Sequence, residues 1–125
     1  MKLITRKDIV GEALPGRTIQ KAVGKQSVSS SGKMTIGFGY YSNDQGPMEP
    51  HQHAEEVIYV VDAKKARARY GPEKDRLAES IDLEPGMLLH FPELEWHVFE
   101  YDGGGYLDIM FIYGQVDKIR PEEMD

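Results

Sequence analysis

The chain has 125 residues, 40% of them hydrophobic and 29% charged, which fits one globular domain that buries roughly two-thirds of its unfolded surface and excludes a disordered or fibrous protein. Its formal net charge of -6 excludes the basic face that nucleic-acid binding needs and disfavours anionic membrane surfaces. The absence of cysteine excludes disulfides, a thiolate nucleophile and cysteine-ligated zinc or iron–sulfur sites.

In chain order, Thr5-Arg6-Lys7-Asp8 sets a hydroxyl and a carboxylate three apart ahead of Ile9, Val10 and Leu14, the pattern of a helix start, and Pro15-Gly16 is expected to end that short helical segment. No apolar run of secretory length follows, and no stretch approaches the ~18 apolar residues of a membrane span, so the expected location is cytoplasmic. From Arg17 onward, β-branched and aromatic runs predict eight strands, at residues 18–23, 33–41, 56–61, 66–70, 77–83, 87–91, 96–101 and 106–113. Between them lie Asn43-Asp44-Gln45-Gly46-Pro47, Gly71-Pro72, Glu84-Pro85-Gly86 and Asp102-Gly103-Gly104-Gly105, all suited to turns, and the polar stretch 24–33 reads as a long hairpin loop. Short strands at this spacing predict an all-β sandwich or barrel. The tail 120–125 is too polar to pack and is expected to fray.

Three histidines carry the chemistry. His51 and His53 are spaced to share one face of an extended segment, a carboxylate follows at Glu55 or Glu56, and His97 stands far downstream behind Gly86 and Pro92. Two close imidazoles and a remote one predict a divalent metal site in a fold that brings distant strands together. Alternation sets Glu56, Ile58 and Val60 on one face and Glu55, Val57 and Tyr59 on the other, so one glutamate alone can face the interior. An inward Glu56 would itself argue for a cation, because a buried carboxylate needs a partner. Three histidines with a carboxylate leave open positions on Fe, Mn, Ni or Co, or one on tetrahedral Zn.

Residues 46–61 resemble the first motif of the cupins, a glycine followed by His-x-His, then three or four intervening residues before a glutamate, and a closing glycine. The stretch from Gly86 to His97 is similar to the second motif in its Gly, Pro and His spacing. The resemblance covers about residues 17–113. It implies a cupin double-stranded β-helix, a jelly-roll barrel with its core at about 17–114, as a single domain over 1–125 with a tail at 115–125. It also implies metal ligands at His51, His53, Glu56 and His97, and a homodimer. The chain departs from the pattern in four places. Only two residues separate His53 from Glu56, Ala63 stands for the closing glycine, Leu94 for the glycine of the second motif and Tyr101 for its asparagine. An alternative register puts Glu49 and His51 at the histidine positions, and the two-histidine register is preferred because imidazole is the better ligand.

Other polar residues are expected to be bland. His90 reads as a packed or hydrogen-bonded core histidine, Glu55 as a solvent or interface residue, Asp108 as an exposed residue with a pocket acid as the alternative, and Arg17, Arg67 and Arg69 as surface charges, although an inward arginine would suit a carboxylate substrate. The expected function is a metal-binding cupin acting on a small organic molecule, as an oxygenase, isomerase, decarboxylase or lyase. The alternative is a non-catalytic barrel that binds a sugar-like ligand or serves regulation.

Overall fold

The computed structural model describes residues 1–120 and 123. The strands are β1 (Gly11–Leu14), β2 (Arg17–Gly24), β3 (Ser29–Ser30), β4 (Thr35–Ser42), β5 (Glu56–Gly71), β6 (Glu79–Asp82), β7 (Leu88–Phe91) and β8 (Trp96–Tyr113). They form one sheet in the order β1-β2-β4-β8-β5-β6, with β3 beside β2 and β7 beside β5, and every pair except β2–β3 is antiparallel.

Two long strands wrap this sheet around one interior. β5 and β8 pair along their whole length, but the register shifts between Val60 and Asp62 and again between Lys64 and Ala66. Bulges of this kind bend a strand and sharpen its twist. Each long strand therefore serves both walls: Glu56–Val60 lies between β7 and the second half of β8, whereas Ala66–Gly71 lies between β6 and its first half. The expected separate strands at 56–61 and 66–70, and at 96–101 and 106–113, are halves of these two. The expected turn at 102–105 is the bulged stretch of β8, with Gly104 at φ +78.

The inner face follows the period of two. Ile19, Tyr41, Ile58, Val60, Ala66, Ala68, Phe99, Leu107, Ile109 and Phe111 are buried on it and form one core with Phe91 and Tyr113. At Gly37 the sheet leaves no room for a side chain, since an added Cβ would stand 2.6 Å from the Phe111 ring.

The N-terminal helical segment is shorter than expected. Only Arg6–Asp8 forms a 3-10 turn, Thr5 makes no side-chain cap, and residues 11–14 are the edge strand β1. Pairing with β2 overrides the helical pattern, and Pro15-Gly16 is the tip of that hairpin, with Gly16 at φ +79 as the third position of a type II turn requires. Of the expected frayed tail, 120–125, only Arg120 and Glu123 are among the described residues. Ile119 is 6% exposed within the core and Arg120 is half-buried, so the chain past β8 packs back onto the barrel, while Pro121, Glu122, Met124 and Asp125 lie outside the described residues.

Candidate metal centre

Among the described residues six polar or charged ones are buried, and four of them, Arg17, His53, Glu56 and His97, gather in one part of the barrel interior. Burying such groups in scattered places would cost stability at each one. Their concentration around one small cavity marks a site.

His97 sits in the first half of β8 and is 1% exposed. His51 and His53 lie on the extended loop that enters β5, not on the strand itself. The loop is fixed by the backbone: His51 and His97 form an antiparallel bridge, and the Leu94 amide donates to the His53 carbonyl at 2.9 Å. The ligating atoms of His51, His53 and His97 all lie within 4.8 Å of one another. Phe91 stacks on the His97 ring at 4.2 Å and 24°, which holds its plane.

The tautomers follow from the hydrogen bonds. Nδ1 of His51 faces the Glu49 carbonyl at 3.0 Å, Nδ1 of His53 the Ala54 carbonyl at 2.8 Å, and Nδ1 of His97 the Glu95 carbonyl at 2.9 Å. A carbonyl oxygen only accepts, so each Nδ1 carries the proton and each neutral ring turns an Nε2 lone pair toward the cavity. Nε2 of His53 and Nε2 of His97 stand 3.1 Å apart. Two lone pairs at that distance repel unless a proton or a cation lies between them. Two nitrogens at right angles around one ion, each about 2.1 Å from it, are about 3 Å apart, so the spacing suits a metal. Burial, followed by the nearby His51 and His53, holds the His97 imidazole well below its ordinary pKa and therefore neutral.

Glu56 faces the same cavity at 4% exposure, with Oε1 3.5 Å from Nε2 of His53. Burial pushes its carboxyl up to about 8, against the pull of its hydrogen bond with Tyr113 and the charge of Arg17. Burial, then Glu56, raises the Tyr113 hydroxyl well above the usual phenol range. Glu49 is exposed and contributes a backbone carbonyl to His51.

Of the remaining expectations, those for Arg17 and for the burial of His90 need correction, and those for Asp108, Arg67 and Arg69 hold. Arg17 is 5% exposed, because it begins β2 in the same inward register as Ile19 and lines the cavity. His90 is hydrogen-bonded as expected but exposed, since β7 turns it outward, where Nε2 lies 2.7 Å from the exposed Glu55 carboxylate. Asp108 is on the outer face, covered by Arg6, and Arg67 and Arg69 pair outside with Glu100 and Asp102. Sequence reasoning left Tyr113 among general core aromatics and missed Arg120. The parity of β8 could have found Tyr113, but no local pattern marks Arg120.

No protein-family model matches the chain, and no curated protein matches it by sequence. Solved structures do. The polyketide cyclase RemF from Streptomyces resistomycificus superposes with a TM-score of 0.73 at 20% identity, covering 90% of this chain and 78% of that one. A protein from Planctomyces limnophilus gives 0.72 at 17% identity, covering 94% and 91%. Fe(II)-HppE with an alternative substrate gives 0.66 at 10% identity, covering 90% and 60%. These neighbours are cupin barrels.

The chain has the cupin fold.

At such identities the likeness speaks for the architecture alone. What this chain does at its histidine cluster rests on its own side chains. Among the described residues, no helix is long and apolar enough to cross a membrane.

Proposed function

We propose that this cupin binds one divalent transition metal through His51, His53 and His97, with Glu56 as a fourth ligand, and acts there on a small organic molecule. The observation that carries the reading is the convergence of Nε2 atoms whose Nδ1 protons are already engaged by backbone carbonyls. Neutral imidazoles with one carboxylate suit Fe, Mn, Ni, Co or Zn and leave coordination positions open. The ion would supply Lewis acidity toward a substrate oxygen.

The chain's own groups prepare the site. Phe91 and the Glu95 carbonyl orient His97, and Tyr113 orients Glu56, whose proton must leave when a cation arrives. The neighbours named a polyketide cyclase, a DMSP lyase and an oxalate decarboxylase favour an enzymatic role over a purely structural ion.

Elemental analysis of untagged protein tests the metal, with close to one ion per chain expected. Product formation or oxygen consumption with a panel of keto acids, catechols and sugars tests catalysis, whereas saturable binding without product would favour the non-catalytic module. We also propose that the chain forms one domain, resides in the cytoplasm and pairs as a homodimer. Tyr59 and Leu88, partners across β5 and β7, are exposed apolar side chains, and β1 and β6 are sheet edges. Sedimentation of a monomer at micromolar concentration would remove the dimer.

A further inference from the structure

We propose that a second chamber, between β2 and the stretch that follows β8, binds a small organic acid with an apolar body, held at its anionic end by Lys21 and Arg120. None of the three imidazoles lines this chamber, so its ligand needs no metal ion.

The chamber has a volume of ≈ 280 Å³, and its apolar wall is built by Ile19, Phe111 and Ile119, all buried in the core. Lys21 continues the inward parity of Arg17 and Ile19 along β2, which brings its side chain to the same chamber. That side chain is only 27% exposed, yet the one charged neighbour of its ammonium among the described residues is Glu12 at 3.9 Å, beyond hydrogen-bond reach. Arg120 donates from Nε to Glu123 Oε1 at 2.9 Å, while its buried Nη1 has no hydrogen-bond partner among the described residues. Lys25, by contrast, is committed to Asp117 at 2.8 Å. Lys21 and Arg120 therefore reach the chamber with donors unused. A cation drawn out of water without an acceptor is unfavourable, and an anionic oxygen in the chamber offers both of them one.

Charge and size define the ligand. Among the described residues, three cations, Lys21, Lys25 and Arg120, and two acids, Asp117 and Glu123, line the chamber, an excess of one positive charge in a chain whose formal net charge is -6. That excess suits one negative group. The volume lies at the lower limit of small-molecule sites, about 300 Å³, which admits a body of one ring and excludes a nucleotide. The wall of Ile19, Phe111 and Ile119 favours an apolar body over a bare anion. A planar carboxylate also matches the fork of a guanidinium.

The test is titration of the full-length, metal-free protein with benzoate, benzamide and acetate, followed by amide NMR. Benzoate is expected to bind saturably and to shift the amides of Ile19, Lys21 and Ile119 more than those of His51, His53 and His97. Benzamide, which lacks the charge, and acetate, which lacks the ring, are each expected to bind roughly tenfold or more weakly. Lys21→Gln and Arg120→Gln are expected to weaken benzoate by a similar factor, and Lys21→Arg to retain most of the binding. No saturable binding of benzoate, an amide or acetate that binds as tightly, shifts centred on the histidines, or a Lys21→Gln variant that holds benzoate as well as the parent would overturn the proposal. With no metal ion present, the outcome is independent of whether the histidines bind one, and the comparison of acid with amide on the parent decides the matter even if a variant fails to fold.

Discussion

His51 and His97 exchange two backbone hydrogen bonds, each amide donating to the other's carbonyl at 2.9 Å. Two of the three imidazoles are thus brought into register by the main chain, 46 positions apart in sequence, through the same kind of contact that builds the sheet. Much of the ordering that an ion would otherwise impose is already in place.

Metal binding should therefore tighten the fold through this triad. Added Co(II) or Mn(II) is expected to raise the melting temperature of the parent, and His97→Ala to abolish that rise and lower metal content to a small fraction. Removing a fully buried ring that stacks on Phe91 should also destabilise the metal-free protein, by about 1–3 kcal/mol. An unchanged metal-induced shift in His97→Ala, read by differential scanning fluorimetry, would count against the site.

The stability of the metal-free protein should fall as pH rises, and Glu56 sets the interval. Burial lifts its folded-state pKa from 4.5 to about 8, so the unfolded chain releases the proton first. The stabilisation is complete below pH 4.5 and is lost as pH climbs to about 8, on the order of a few kcal/mol. Urea unfolding of the parent and of Glu56→Gln across this range isolates the effect from that of the histidines. The variant is expected to show the shallower decline, and parallel curves would contradict the assignment.

Leu94 stands at φ +64, a left-handed conformation that favours glycine, in the turn that delivers His97 to β8. Its side chain is 45% exposed, so little packing is lost on removing it. Leu94→Gly is expected to stabilise the protein by about 0.5–1 kcal/mol, with metal content unchanged. Thermal denaturation checks this, and a drop in midpoint would show that the side chain's contacts outweigh the backbone relief.

The Arg6–Asp108 ion pair fastens the N-terminal segment to β8. Arg6 reaches both oxygens of Asp108 on β8, with Nη1 to Oδ2 at 3.0 Å, and lies 4.5 Å over the Phe38 ring. Bidentate geometry and partial burial place this pair above ordinary surface pairs, and a double-mutant cycle of Arg6→Ala and Asp108→Ala is expected to give a coupling of about 1 kcal/mol. A coupling near zero would mean that Gln20 and Phe38 hold the segment without Asp108.

The strands and the histidine triad were legible because both depend on local pattern. Alternation of apolar and polar residues set Glu56, Ile58 and Val60 on one face, which is the buried one, and the spacing of Gly86, Pro92 and His97 marked the turn before β8. The errors arose where tertiary contacts overrule pattern. Residues 9–14 carry a helical spacing, yet β2 offered them a strand partner. Arg17 reads as a surface charge by composition, although its parity with Ile19 turns it inward. Arg120 lies in a polar stretch whose burial depends on Ile119 docking in the core, which no short-range signal encodes.

Ile119 and Arg120 belong to the stretch that follows the last strand, whereas the three imidazoles come from the middle of the chain. The lining of the cavity is thereby shared between two parts of the chain, with Tyr113, the last residue of β8, between them. A substitution at Arg120 would therefore alter the lining of the cavity without touching the loop and the strand that carry the three imidazoles.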